Sequence, residues 1–189
     1  MPRLQLTHGL LLLLALAAAQ DDNSVLADSR TFRVEFSKSV HAKPFTGRIY
    51  VLFSRRNGEP RKGPSWFNPE QFVARDVENW KPGVPLDFSA KTPGNLTGPG
   101  GLKAGPILGY PGPLSEMKLA GHRAQAVARF NPHDREIGTG PGNGFSRTTT
   151  LGKDNPDTIV ALGIDELAKA KPFAESRWSK LLESPSKLL

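Results

Sequence analysis

Residues 31–37 alternate strictly between apolar and polar. Phe32, Val34 and Phe36 fall on one side, and Arg33 and Glu35 on the other. A period of two is the mark of a strand with one buried face. Residues 48–54 are different: Ile49, Tyr50, Val51, Leu52 and Phe53 are apolar on both faces and rich in β-branched and aromatic types, which predicts a central strand. Further strands are predicted over residues 72–77, 84–88, 123–130, 145–151 and 158–164. Leu86 and Phe88 share one face of the fourth.

The stretches between them are dense in glycine and proline. Residues 57–71 hold Pro60, Pro64 and Pro69 together with Gly58 and Gly63, so neither a helix nor a central strand can run through them. The tetrapeptide Trp80-Lys81-Pro82-Gly83 reads as a turn, and residues 91–112 as the longest irregular stretch. Residues 138–144 (Gly-Thr-Gly-Pro-Gly-Asn-Gly) read as a flexible hairpin connection. Residues 165–189 leave room for one short helix before Trp178, Leu181 and Leu182. Short strands with regular turn signals predict an all-β domain, an antiparallel immunoglobulin-like β-sandwich of about seven or eight strands with long Gly/Pro-rich loops. A small closed barrel is the alternative.

The start of the chain adds a different signal. Arg3 precedes an unbroken apolar run from Leu10 to Ala19 that closes on small residues. This is the layout of a secretory signal peptide, too short to span a bilayer. The expected organisation is therefore a signal peptide over 1–19, a flexible leader over 20–30, a β-sandwich over 31–170 and a linker over 171–189 toward a further C-terminal domain. The expected location is secreted or periplasmic. Cysteine is absent, so the core alone must hold such a domain together. The 25 Lys+Arg against 18 Asp+Glu are scattered singly and in pairs rather than gathered in a patch, which argues against nucleic acid as a partner.

A search for reactive constellations assigns no catalytic, cofactor or metal residue. A serine hydrolase of the α/β type needs a G-x-S-x-G elbow between strand and helix. The nearest stretch, Gly142-Asn143-Gly144-Phe145-Ser146, lacks that pattern and has no helix after it. His41, His122 and His133 lie far apart in sequence, and the Asp154-Asn155-Pro156-Asp157 segment reads as turn chemistry. The aromatic residues Trp66, Phe67 and Trp80, with Tyr50 and Tyr110, are the candidates for ligand or interdomain contact. In loops such rings either clamp the loop to the core or stack on sugars.

Several segments carry a resemblance. Pro44-Phe45-Thr46-Gly47-Arg48-Ile49-Tyr50-Val51, Gly63-Pro64-Ser65-Trp66-Phe67-Asn68-Pro69-Glu70, Trp80-Lys81-Pro82-Gly83, Gln125-Ala126-Val127 and Pro185-Ser186-Lys187-Leu188-Leu189 resemble, in order, the N-terminal β-sandwich region of secreted bacterial esterases of the α/β-hydrolase family. The resemblance implies a non-catalytic accessory domain that contacts a hydrolase domain, shapes access to its cleft, and leaves carboxylic ester hydrolysis to that domain. No catalytic residue transfers to this chain. His122 stands where similar sequences carry Tyr. The competing reading is a free-standing module that binds polysaccharide or another envelope component.

Overall fold

The computed structural model describes residues 29–63, 69–92, 94–152 and 158–170. Within them the fold is all-β. Eleven strands run in chain order: β1 Thr31–Phe36, β2 Phe45–Ser54, β3 Phe72–Trp80, β4 Leu86–Ser89, β5 Leu96–Thr97, β6 Lys103–Ala104, β7 Leu108–Tyr110, β8 Arg123–Ala128, β9 Gly144–Ser146, β10 Thr149–Thr150 and β11 Ile159–Leu167. Three single-turn 3-10 helices, Pro60–Lys62, Pro99–Gly101 and Leu114–Glu116, complete the regular structure among the described residues.

All the strands belong to one sheet, ordered β4-β1-β11-β9-β8-β2-β3-β6-β5, with β10 beside β8 and β7 beside β3. The expectation of a purely antiparallel fold is corrected at one place. β1 and β11, the first and last strands, are parallel neighbours, with Phe32 opposite Val160 and Val34 opposite Leu162. Alternation tells a strand which face to bury, but it carries no information about the direction of its neighbour.

The sheet curls until its inner face meets itself. Phe32 of β1 and Phe53 of β2 touch with ring centroids 5.0 Å apart, and Phe36 of β1 meets the Trp80 ring edge-on at 4.5 Å. The enclosed core takes the inward residue of every pair: Phe32, Val34 and Phe36; Ile49, Val51 and Phe53; Val73 and Val77; Leu162 and Ile164. Ring pairs in this distance range add favourable contact beyond their buried area.

A buried arginine ties the curl together. Parity places Arg75 of β3 between Val73 and Val77 on the inner face, where it is 1% exposed. Its guanidinium donates from Nε to the Gly105 carbonyl at 2.6 Å, from Nη1 to the Asp87 carbonyl at 2.9 Å and from Nη2 to the Gly94 carbonyl at 2.6 Å. One side chain therefore joins β3 to β4, at the far edge of the sheet, and to the loops flanking β5 and β6. Burial pulls its pKa below the usual arginine value, offset in part by the nearby Asp87 charge.

The outer face of β2, β8 and β9 is covered as well. Tyr50, Leu52, Ala74, Val127, Phe145 and Ala168 form a second buried cluster. Over it lies the turn at Pro60–Lys62: the Arg61 guanidinium sits 3.7 Å above the Phe145 ring and donates to the Gly138 carbonyl at 2.8 Å. A Cβ at residue 138 would strike the Arg61 carbonyl, which explains the glycine there. Residues 138–144 lie in the connection of the antiparallel β8–β9 pair, which is bound internally. The buried Asn143 amide donates to the carbonyls of Glu136 and Ile137 and accepts from the Asn131 N–H.

Candidate functional site

The sequence-derived aromatic candidates part ways. Trp66 and Phe67 lie outside the described residues, as do residues 1–28, the Asp154–Asp157 turn and the segment 171–189. Trp80 is fully buried, and its indole N–H donates to the Val84 carbonyl at 2.7 Å. It clamps the following turn to the core and has no face left for a ligand. Tyr50 is also buried, at 7% exposure, within the outer cluster. Tyr110 is the exception, exposed at the tip of β7.

The serine and histidine candidates do not converge. Ser146 is 1% exposed and its hydroxyl is committed to backbone, accepting from the Ala126 N–H and donating to the Arg147 carbonyl, both at 2.9 Å. His133 lies on the surface in the 131–143 loop. His41 stacks on Phe130 at 4.5 Å with nearly parallel rings. His122, 5% exposed, lines a separate cleft. Among the described residues no three His, Asp or Glu side chains are grouped to hold a metal ion.

Two surface features stand out. The first is the outer face of β11. Ile159 is 54% exposed, and Ala161 and Gly163 follow it outward, both open to solvent, before the exposed Asp165; the register shift between Ile164 and Glu166 then turns Leu167 to the other face, opposite Gly144. The apolar patch is confined to the start of a strand enclosed on both sides by β1 and β9. Its border on β1 is charged: Ala161 is paired with Arg33, whose guanidinium holds the Asp87 carboxylate through two 2.8 Å bonds. The bonds to Asp87 and its charge raise the Arg33 pKa above the usual value. A small exposed apolar patch thus sits beside a fixed ion pair.

The second is a cleft of about 500 Å³ lined by Arg55, Gln71, Pro111, Glu116, Lys118 and His122, among others. Pro111 lines it, whereas the neighbouring Tyr110 points to the outer face of the sheet. Its ring stacks on Phe72 at 5.8 Å with only 17° between planes, and Phe72 in turn leans on Tyr50 at 6.1 Å. A third depression, of about 710 Å³, opens at the end of the parallel pair, with Phe36 and Ile164 lining it beside Glu35, Lys38, Lys81 and Asp165.

No protein-family model, curated protein or solved structure matches this chain. No helix among the described residues is long and apolar enough to cross a membrane. Sequence reasoning missed both features for the same reason. The patch needs knowledge of what covers β11, and the cleft needs segments far apart in the chain brought together.

Proposed function

We propose that this chain is an exported, non-catalytic accessory domain that docks on an α/β-hydrolase domain and helps shape access to its ester-cleaving site. The observation that carries the reading is the exposed apolar patch of Ile159 and Ala161 on the outer face of β11, beside the Arg33–Asp87 ion pair. Apolar side chains gathered on one sheet face favour burial against a partner. β11 is also the last strand described, so the patch lies on the segment that leads toward residues 171–189. The esterase context comes from the sequence resemblance, and the committed hydroxyl of Ser146 fits a domain that leaves hydrolysis to its neighbour.

Two measurements test this. Reading the coding sequence beyond Leu189 should reveal a G-x-S-x-G strand-turn-helix. The purified chain should not turn over p-nitrophenyl esters above background; turnover that disappears in Ser146→Ala would overturn the accessory role.

A further inference from the structure

We propose that Arg48 and Arg129, side by side on the outer face of the sheet, hold a tetrahedral oxyanion such as sulfate or phosphate. The site does not rest on the docking reading. The register that pairs Ile49 with Ala128 continues by one residue, where the Arg129 N–H donates to the Arg48 carbonyl at 3.2 Å. Ile49 and Ala128 belong to the enclosed core, so parity turns both arginines outward as direct cross-strand neighbours. On its other flank Arg48 is paired with Asp76 of β3. A row of one carboxylate and two guanidinium groups therefore crosses three strands, and like charges set opposite each other in a sheet repel.

The one carboxylate of the row is already engaged. Asp76 accepts from Arg48 Nε at 2.7 Å and from Nη2 at 2.8 Å. Arg129 has neutral partners instead: its Nη2 donates to the main-chain carbonyls of Pro132 and Asp134, at 3.0 and 2.8 Å. The Asp134 carboxylate accepts from the Glu136 N–H. Arg129 Nε is enclosed and has no hydrogen-bond partner, a costly state for a charged group unless a ligand brings an acceptor. The two carbonyls hold this guanidinium in place beforehand, which lowers the ordering cost of binding. Both arginines line one cleft of about 390 Å³ together with Thr46, and no acidic side chain lines it. Thr46 Oγ1 accepts from the Asn79 N–H at 3.1 Å, which leaves its hydroxyl proton for a ligand. The two oxygens of a carboxylate are satisfied by one guanidinium fork, whereas a tetrahedral anion has further oxygens for a second arginine and a hydroxyl.

Nitrogen–proton NMR of the purified protein at low salt, titrated with sodium sulfate, sodium phosphate, galactose 6-sulfate and sodium acetate, tests the assignment. Sulfate and phosphate should move the Arg129 Nε–H signal, and acetate should bind more weakly than either. Galactose 6-sulfate binding more tightly than sulfate would support the site with a sugar ester as its ligand; equal binding would support it with the free ion. Arg129→Ala should weaken sulfate binding about tenfold or more. Asp76→Asn should tighten it about two- to fivefold, because the row then holds two uncompensated cations. That second result stands even if the loss of Arg129 loosens residues 131–134, since the Arg48–Asp76 pair is largely exposed. Lys118→Ala, in a separate cleft, should change nothing. An Arg129 signal unmoved by sulfate and phosphate, acetate binding as tightly as sulfate, or weaker sulfate binding in Asp76→Asn would each overturn the site.

Discussion

Phe32 and Phe53 touch across the interior, although β11, β9 and β8 separate their strands within the sheet. Their contact exists only because the sheet has curled on itself, so it reports directly on closure of the fold. Each ring is essentially buried. Phe32→Ala and Phe53→Ala should each cost about 3–5 kcal/mol in denaturant unfolding. The double variant should fall short of the sum by about 0.5–3 kcal/mol, as for residues in direct contact. Strict additivity would mean that the rings do not share a core.

Arg75 makes a sharper case. Replacing it with Met keeps the apolar stem but leaves the carbonyls of Asp87, Gly94 and Gly105 without their donor. A buried carbonyl stripped of its partner costs about 1–3 kcal/mol. Arg75→Met should therefore lower stability severely, and amide exchange should quicken first in β4 and around β5 and β6. Arg75→Lys should recover only part of the loss, because one ammonium cannot reproduce a planar fork reaching three acceptors. Normal exchange at β4 in Arg75→Met would refute the clamp.

Trp80→Ala should behave as a core truncation, about 3–5 kcal/mol less stable. Trp80→Phe should be milder, losing the bond to Val84 but keeping much of the packing. Denaturant unfolding of both variants checks this order, and equal losses would contradict a contribution from the ring.

Arg48 and Asp76 face each other across β2 and β3 with bonds of 2.7 and 2.8 Å. The hydrogen bonds from Arg48 outweigh desolvation and hold the Asp76 carboxyl below its ordinary value. A depressed folded-state pKa gives stability that is complete above the unfolded-state value, near pH 4, and lost as pH falls through the folded one. The stability gap between wild type and Asp76→Asn should thus be constant at neutral pH and close in acid. The gap should be small throughout, because both groups are largely exposed. A gap that widens on acidification would contradict the assigned direction.

Much of the core was readable from parity. The alternation of Phe32, Val34 and Phe36 and of Ile49, Val51 and Phe53 named the buried faces of β1 and β2, and the two-sided apolarity of residues 48–54 matched a strand covered on both faces. The same rule places Arg75 inward between Val73 and Val77, but an inward arginine makes sense only once three carbonyls are seen around it. The strands β5, β6 and β7 escaped notice because each has two or three residues, too few for a period, within a stretch full of glycine and proline. Trp80 could be placed at a turn from sequence, yet only its bond to Val84 decides between clamp and platform. Tyr110 is told apart from Tyr50 by what lies above each ring, which no local pattern records.

The parallel pairing of β1 with β11 also has a consequence for how the molecule comes into being. The first strand finds its neighbour on one side, β4, early in synthesis, but the other side stays open until almost the whole described chain has left the ribosome. Contacts between segments so remote in sequence close slowly. β1 therefore keeps one open edge until residues 159–164 have been made, and β11 is the element whose arrival closes it.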